Sequence, residues 1–407
     1  MIKVLLVFGT RPEAIKLAPV VSAMRREAAR FSVHICATAQ HRGLLDEVLG
    51  LFSIHPDSDL NLMRENQALS DLTARLCESL DAVLSRERPD WVLVQGDTTS
   101  AMVAGLVAYY HQIKVGHVEA GLRSGDKFQP FPEELNRRML SLTADLHFAP
   151  TGVASGNLIS EGIPEQRVVV TGNTVIDALL DIARRNYDFS RGPLATLPWH
   201  KRLILLTAHR RENFGAPLQN VCRAVQILGS RYAGLVHFVY PVHPNPNVQE
   251  PVRGALGAHR SVSLLPPLPY DAFIQLMRRC SLILTDSGGL QEEAPSLGKP
   301  LLLLRNTTER PEAVRVGATR LVGTETERIV TEVSRLLDDP GAYASMAAVP
   351  NPFGDGHASE RICRALLAQD DEEGPARVMR PAFHREPARP HEPKVALLNP
   401  QYRGGIA

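Results

Sequence analysis

Cysteine is scarce in this sequence, and the few cysteines lie far apart. They show neither a Cys-x-x-Cys pair nor a Cys/His spacing typical of a metal site. We therefore expect reduced, mostly buried thiols, a cytoplasmic protein, and no structural disulfide or metal. The five are Cys36, Cys77, Cys222, Cys280 and Cys363.

The sequence also lacks an excess of one charge and any long hydrophobic run. The formal net charge is +1, and lysine and arginine are scattered, so we expect no nucleic-acid partner. The apolar start at residues 1–8 is too short for a signal-peptide core, and no later stretch is long enough to span a bilayer. A small anionic ligand remains compatible with this composition, because it needs only a few local cations.

What is present is a regular alternation of short Val/Leu/Ile-rich runs with segments of helical length. This alternation predicts an α/β protein built of βαβ units with parallel sheets. The predicted strands are 3–7, 33–38, 91–94, 115–118, 146–148 and 168–170, then 203–207, 235–240, 262–265, 282–285 and 301–304.

A Pro- and Gly-containing stretch at 187–201 interrupts this pattern and suits a linker. We therefore predict two Rossmann-like domains facing a central cleft, at 1–176 and 177–357, with the boundary between residues 177 and 201. An amphipathic helix is expected at 358–369. The Pro-, Arg- and Glu-rich residues 370–407 contain few apolar side chains, which predicts a disordered tail.

The stretch at residues 286–300, DSGGLQEEAPSLGKP, follows a predicted buried strand. Glycines at a strand-to-helix turn let the backbone approach a phosphate, and a carboxylate about one helical turn later can accept hydrogen bonds from a ribose. The stretch is thus a candidate nucleotide site, with Glu292 and Glu293 near the ribose. A tight turn followed by a solvated acidic face explains the same residues equally well.

Three carboxylates follow predicted strands of the first domain: Asp97, Glu119 and Glu133. A single loop carboxylate is usually a helix cap. Three at the carboxyl edge of one sheet favour a shared crevice, where repulsion and burial suit them to acid/base chemistry. Arg137, one turn after Glu133, either pairs with one of them or binds an anion, and an ordinary helix-surface ion pair is an equal alternative.

Cationic and aromatic candidates occupy the other strand-end loops. Arg11 and Lys16 follow the first strand and could face a diphosphate or the sugar beside it. His209 opens a basic loop, and His243 is as compatible with a structural role as with ligand contact. Phe273 could stack on a base, although core packing is the commoner role of such a residue. Arg310 is a further candidate for contact with an anion.

Seven motifs taken together resemble the non-hydrolysing UDP-N-acetylglucosamine 2-epimerases in order and spacing, over residues 1 to about 369. The resemblance implies a GT-B architecture whose last helix crosses back to the first domain. It also implies reversible conversion of UDP-GlcNAc to UDP-ManNAc, no cofactor, and a homodimer. The motifs are GTRPEAIK (9–16), GDTT (96–99), HVEAGLR (117–123), PEE (132–134), HRREN (209–213), DSGG (286–289) and TERPE (308–312).

The resemblance also implies site roles. The catalytic set would be Asp97, Glu119, Glu133, Arg137 and His209. The substrate-binding set would be Arg11, Lys16, Phe273, Ser287, Gly288, Gly289, Glu293 and Arg310. A second, allosteric UDP-GlcNAc site would use Gln40, His41, Arg210 and His243. This sequence departs from the pattern of that second site, because Gly43 and Asn66 stand where Gln and Arg are expected.

Three other functions share parts of this pattern. A GT-B glycosyltransferase would use the same fold and nucleotide site, since a fold does not fix a reaction. A catalytically inactive sensor would bind UDP-GlcNAc without turnover. A hydrolysing relative would release UDP and free ManNAc. Three carboxylates in the first domain favour the epimerase over the glycosyltransferase and the sensor, whereas the hydrolysing relative is distinguished by the fate of the UDP-sugars on prolonged incubation.

Overall fold

The computed structural model describes residues 1–38, 42–62, 64 and 67–373. A first sheet of seven parallel strands has the order β3-β2-β1-β4-β5-β6-β7. Its strands are β1 (Ile2–Phe8), β2 (Phe31–Ala37), β3 (Ser58–Asp59), β4 (Trp91–Gln95), β5 (Lys114–Val118), β6 (Leu146–Ala149) and β7 (Val168–Val170).

A second sheet of six parallel strands has the order β10-β9-β8-β11-β12-β13. In both sheets the chain starts near the centre, winds to one edge, and returns to build the other half. This reversal creates a topological switch point between β1 and β4 and another between β8 and β11. The strands are β8 (Arg202–Thr207), β9 (Val236–Pro241), β10 (Val262–Leu265), β11 (Leu282–Thr285), β12 (Leu301–Leu303) and β13 (Thr319–Leu321).

Helices connect the strands and cover the sheets. Those of the first half are α1 (Arg11–Arg26), α2 (Arg42–Leu51), α3 (Leu69–Glu87), α4 (Thr99–Tyr110), α5 (Glu133–Thr143), α6 (Gly152–Ser160) and α7 (Thr174–Arg184). Those of the second half are α8 (Ala216–Arg231), α9 (Pro246–Leu256), α10 (Tyr270–Arg279), α11 (Gly288–Glu293), α12 (Pro311–Arg315), α13 (Thr326–Asp338), α14 (Pro340–Ala347) and α15 (Ala358–Glu373).

Every strand predicted from the sequence is present, with limits that differ by at most two residues. The prediction missed β3 and β13. Both lie at sheet edges and have sequences, Ser-Asp and Thr-Arg-Leu, without the apolar run of a buried central strand. The α/β prediction with two parallel sheets is therefore confirmed.

Helix α7 lies between the two sheets and joins their cores. It packs on α1 beside the first sheet and on α10 beside the second. Its apolar residues Ile176 and Leu179 are completely buried in a cluster that includes side chains from both sheets. The predicted domain boundary at residues 176 and 177 falls inside this helix, and the domain limits remain a prediction.

The last helix, α15, returns to the first half of the chain and packs on α1 and α7. The carboxylate of Asp177 in α7 accepts hydrogen bonds from the first two backbone N–H groups of α15, from Ala358 at 3.2 Å and from Ser359 at 2.8 Å. The helix begins at Ala358 as predicted but ends at Glu373, so residues 370–373 are helical rather than part of a disordered tail. Extending a helix that is already formed costs much less free energy than starting one. Residues 374–407 lie outside the described residues.

Candidate active site

The candidate residues of the first sheet follow the strands beside its switch point. Arg11 and Lys16 come after β1, Asp97 after β4, and Glu119 after β5. The corresponding loops of the second sheet follow β8 and β11, and contain His209 and Ser287. Because all strands in each sheet are parallel, the side chains that follow them lie at the carboxyl edge of that sheet, where α/β proteins bind ligands.

Glu119 has an uncommon backbone conformation and several partners. Its φ is +66°, in the left-handed region that residues with a β-carbon adopt uncommonly. Lys16 Nζ lies 2.7 Å from Oε1 and 2.6 Å from Oε2, and the side-chain amide of Gln95 donates to Oε2. The residue is only 7% exposed. Glu119 is therefore a buried carboxylate with a fixed orientation.

Lys16 remains charged in this environment. Burial alone would lower the pKa of its ammonium group, but the negative charges of Glu119 and Glu292 outweigh burial and raise that pKa. The resulting buried ion pair places a cation and an acid/base candidate together at the switch point of the first sheet.

Asp97 forms a second ion pair at the same edge. Arg137 Nη2 lies 2.6 Å from Asp97 Oδ2, and the Asn136 amide donates to the Asp97 backbone oxygen at 3.0 Å. Burial raises the pKa of Asp97, Arg137 opposes this, and the charges of Glu119 and Glu133 raise it further. The carboxyl group of Asp97 is thus easier to protonate than a solvent-exposed aspartate.

Glu133 begins helix α5 and contributes the third carboxylate. Its Oε2 atom is buried and has no hydrogen-bond partner among the described residues. The adjacent Glu134 is completely buried and instead has a structural role, since it accepts hydrogen bonds from the Ser124 backbone at 3.0 Å and from Arg138 at 3.1 Å. Of the two neighbouring glutamates, only Glu133 has a buried side-chain oxygen without a hydrogen-bond partner among the described residues.

A further carboxylate, Glu13, joins the loops after β1 and β4. It is 2% exposed and accepts from the Thr10 backbone at 2.8 Å and from the Thr98 hydroxyl at 2.8 Å. These bonds fix the GTRPE loop against the loop that carries Asp97. The Glu13 carboxylate therefore positions the first-sheet side of the site.

Gly288, which follows β11, is surrounded by cations from two other loops. A β-carbon at this glycine would lie 3.2 Å from Arg310 Nη1 and 3.5 Å from Arg210 Nη2. Two guanidinium groups thus converge on a backbone that has no side chain in the way. Guanidinium groups of this kind suit a phosphate or diphosphate.

Asp286 organises the loop after β8. Its Oδ2 atom accepts from the backbone N–H groups of His209 and Arg210, both at 2.8 Å, and from the Asn213 amide at 3.0 Å. The rings of His209 and His243 stack with their centroids 5.4 Å apart. Burial lowers the pKa of His209, Asp286 partly offsets that, and the charge of His243 adds to the lowering.

Glu293 and Arg11 are close enough for their charges to interact. Burial, reinforced by the charge of Glu292, raises the pKa of Glu293 to about 8, while Lys16 and Arg11 oppose the shift. The hydroxyl of Tyr270 is close enough to both Glu293 and Arg11 for their charges to affect its pKa, which burial raises well above the usual value. Glu293 is thus poised to change protonation when a ligand donates a hydrogen bond to it.

Residues from the two sheets meet through Asn173. Its side-chain amide donates to Glu119 Oε1 at 3.1 Å and to Glu292 Oε2 at 3.0 Å. Glu292 in turn accepts from Arg310 Nε at 2.7 Å. The structure therefore brings Lys16, Glu119 and Arg310 into one buried network.

Not every predicted residue joins these clusters. Phe273 is half-buried on α10 and packs against the core shared by both sheets, as its alternative interpretation allowed. Gly289 is exposed beside Gly288. The predicted second site is divided: Arg210 and His243 lie beside His209, whereas Gln40, His41 and Asn66 fall outside the described residues.

The described part of the chain lacks two further features. No group of three or more His, Cys, Asp or Glu side chains there is arranged to hold a metal ion. Likewise, none of the helices assigned in those residues is long and apolar enough to cross a bilayer.

Comparison with known proteins agrees with this geometry. Residues 23–367 match the family model described as UDP-N-acetylglucosamine 2-epimerase. The chain belongs to this family. A relative from Salmonella typhimurium, named UDP-N-acetylglucosamine 2-epimerase, is 51% identical over 370 residues, covering 89% of this chain and 98% of that protein. One from Bacillus subtilis with the same name is 49% identical over 366 residues, covering 90% and 95%.

Solved structures of the family share the fold. The enzyme from Neisseria meningitidis, determined with bound UDP-GlcNAc, is 45% identical with a TM-score of 0.79, and the match covers 90% of this chain and 100% of that one. An enzyme from Methanocaldococcus jannaschii is 33% identical with a TM-score of 0.76, and the match covers 90% and 99%. The predicted GT-B architecture is confirmed, and so is the resemblance found in the motifs.

Sequence reasoning missed several residues that support the site. In the sequence, Asn173 precedes a periodic run of apolar residues, and this pattern indicates only a helix N-cap. Glu13 lies within the GTRPE motif, but its bonds to Thr98 connect loops far apart in the chain. Glu292 was expected near a ribose, yet its side chain binds Arg310 and Asn173.

Proposed function

We propose that the protein interconverts UDP-N-acetylglucosamine and UDP-N-acetylmannosamine by inverting C2 of the sugar. The main support for this proposal is the position of Glu119. It lies near Asp97 and is linked through Asn173 and Glu292 to the cation Arg310. A diphosphate held near Arg310 and Gly288 would bring the attached sugar to these carboxylates. Membership of the 2-epimerase family supports the same conclusion.

The reaction proceeds by elimination and addition. The bond between C1 and the β-phosphate oxygen breaks, and its electron pair leaves with UDP. As C1 gains oxocarbenium character, the C2–H bond becomes acidic, a carboxylate takes the proton, and a C1=C2 double bond gives 2-acetamidoglucal. Protonation of C2 on the opposite face and return of the phosphate oxygen to C1 give the epimer. Direct removal of the C2 proton has a far higher barrier, because no adjacent carbonyl delocalises the charge.

The groups of the site suit these steps. Arg310, Arg210 and His209 stabilise the charge of the departing diphosphate. Asp97, Glu119 and Glu133 exchange the proton at C2. Arg137 and Lys16 keep two of these carboxylates oriented. The shared core around α7 supports the two sheets on either side of the reacting sugar, where exclusion of water protects the glucal.

The remaining contacts would hold the nucleotide. Ser287, Gly288 and Gly289 would contact its phosphates, together with Arg11. Glu293 would accept hydrogen bonds from the ribose, and Phe273 would lie near the uracil. These assignments follow from the resemblance to the 2-epimerase family. Ser287, Gly288, Gly289 and Glu293 come after β11, whereas Arg11 comes after β1 and Phe273 lies on α10.

A test of the reaction starts from each UDP-sugar separately, in the absence of any acceptor. Both samples should reach the same mixture of UDP-GlcNAc and UDP-ManNAc, as followed by proton NMR. A mixture that differs between the two starting points, or steady release of UDP and free ManNAc, would exclude a reversible epimerase. Binding without any conversion would indicate a sensor.

We further propose a cytoplasmic homodimer. All five cysteines are free thiols, in keeping with a reducing compartment. Helices α4 and α5 pack together and expose large apolar side chains, with Tyr110 67% and Leu142 82% exposed, which favours a partner surface. Sedimentation of the purified protein should give twice the chain mass, and a monomer at micromolar concentration would contradict this.

A further inference from the structure

The backbone around Asn173 does not require a side chain with an amide nitrogen. Asn173 precedes α7 as the N-cap, and its Oδ1 atom accepts from the Val175 backbone at 3.1 Å. Its own backbone N–H donates to the Phe353 oxygen at 2.7 Å. Serine, threonine or aspartate would supply the same capping oxygen. The capping role therefore leaves the choice of a side-chain amide unexplained.

The amide nitrogen of Asn173 connects two buried carboxylates. It lies 3.1 Å from Glu119 Oε1 and 3.0 Å from Glu292 Oε2. Glu119 is 7% exposed, Glu292 is 3% exposed, and Asn173 itself is 2% exposed. A primary amide has two N–H protons, so it can donate to both carboxylates at once. Of the residues that cap well, only asparagine can do so.

Each of these carboxylates also has its own cation. Lys16 is bound to Glu119, and Arg310 Nε is 2.7 Å from Glu292 Oε1. Two anions, two cations and one amide thus form a chain from α1 to the residue before α12. One end of the chain orients an acid/base group, and the other holds the guanidinium that faces Gly288.

We infer that Asn173 is a positioning residue that fixes the Glu119 carboxylate and couples it, through Glu292, to the guanidinium that meets the leaving diphosphate. The inference rests on the proposed function, because it assigns Glu119 and Arg310 to the two ends of one elimination. The hydrogen bond from Asn173 restricts the rotation of Glu119. When the diphosphate departs, movement of Arg310 changes the hydrogen bonding of Glu292. Because the Asn173 amide donates to both Glu292 and Glu119, this change reaches Glu119.

Two substitutions separate positioning from capping. Asn173→Ser keeps a capping oxygen and removes the amide donor. Asn173→Asp keeps the shape and the cap but adds a third carboxylate beside Glu119 and Glu292. Asn245→Ser is the matched control, since Asn245 caps α9 by accepting from the Asn247 backbone at 2.9 Å.

The expected results differ for the three variants. Asn173→Ser should lower kcat by about 100-fold, the scale of a misplaced catalytic group, while the Kd for UDP stays within about threefold of wild type. Its Tm should stay close to that of wild type, because the cap remains. Asn173→Asp should move the acidic limb of the kcat–pH profile to higher pH, since added negative charge raises the pKa of nearby carboxylates. Asn245→Ser should leave kcat and the pH profile unchanged.

Other results would overturn the inference. Wild-type kcat in Asn173→Ser, or an unshifted pH profile in Asn173→Asp, would show that Asn173 is only a helix cap. Equal losses of kcat, UDP affinity and Tm in Asn173→Ser would show a structural role. A wild-type protein that binds UDP without turning over either UDP-sugar would instead overturn the proposed function, and this inference with it.

Discussion

Lys16 Nζ contacts both carboxylate oxygens of Glu119, at 2.7 and 2.6 Å, and so joins the helix after β1 to the end of β5. Glu119 adopts a φ of +66°, and its side chain is buried. A carboxylate with both oxygens on one cation cannot rotate freely. The orientation of Glu119 therefore depends directly on Lys16.

Replacing Lys16 should reduce turnover strongly. Lys16→Met keeps most of the side-chain volume but leaves the buried Glu119 without its cation. It also removes a positive charge that lowers the pKa of Asp97. We expect kcat to fall by about 100-fold or more, and its acidic limb to move to higher pH. Lys3→Met is the control, because Lys3 pairs with Glu87 at 3.2 Å at the opposite edge of the sheet. Equal effects of both substitutions would refute a specific role for Lys16.

Neutralising either acid/base candidate should separate chemistry from binding. Asp97→Asn and Glu119→Gln preserve shape but cannot exchange a proton at neutral pH. Each should remove most turnover while changing the Kd for UDP, measured calorimetrically, by less than about threefold. Asp145→Asn is a suitable control, since Asp145 accepts from the Val115 backbone at 2.8 Å at the start of β5. Loss of UDP affinity along with turnover would mean that these carboxylates hold the nucleotide instead.

UDP binding should release protons near neutral pH. Burial and the charge of Glu292 raise the pKa of Glu293 to about 8, so its carboxyl is mostly protonated at pH 7. Ribose hydroxyl groups donate to the ionised form and favour it. Affinity for UDP should therefore rise from pH 7 to pH 8 and level off above.

Calorimetry in buffers of different ionisation enthalpy measures this proton release. Glu293→Gln cannot ionise, so the rise in affinity over this pH range should become shallower. If the wild type and Glu293→Gln show the same pH dependence, Glu293 does not titrate on binding.

The buried histidines of the first sheet should make folding sensitive to acid. His117 and His147 are register partners on β5 and β6, and neither is exposed. Burial lowers the pKa of His117 to about 3 and that of His147 to about 4, from 6.5. Because the unfolded chain takes up these protons more readily, the stabilising contribution is complete above pH 6.5. It is lost as the pH falls towards 4.

Urea denaturation between pH 7 and pH 4 tests this expectation. His147→Gln should flatten the decline of the unfolding free energy in that range, whereas His55→Gln, at an exposed position, should leave it unchanged. A wild-type slope in His147→Gln would show that His147 does not control acid stability. Each pKa unit of difference corresponds to about 1.4 kcal/mol.

The sequence predicted the strands well because central parallel strands are buried on both faces and need continuous apolar runs. It predicted the edge strands β3 and β13 poorly because their short polar sequences carry no such pattern. It also predicted that candidate polar side chains gather at the carboxyl edge of each sheet, since loops after parallel strands meet there.

Side-chain hydrogen bonds between residues far apart in the sequence could not be predicted in the same way. Asn173 and Glu292 are 119 residues apart, and no local pattern pairs an N-cap with a helix carboxylate. Glu13 and Glu134 looked like other loop glutamates, yet both are buried and fix neighbouring loops. Such roles depend on tertiary contacts that hydrophobic periodicity does not encode.

The most direct test of the proposed chemistry is the fate of the proton at C2. The protein is incubated with UDP-GlcNAc in D2O without an acceptor, and both UDP-sugars are then analysed by NMR and mass spectrometry. Deuterium should enter C2 of UDP-ManNAc and, by reversal, C2 of the remaining UDP-GlcNAc. Conversion to UDP-ManNAc with the original proton retained at C2, or no exchange at all, would contradict the proposed chemistry.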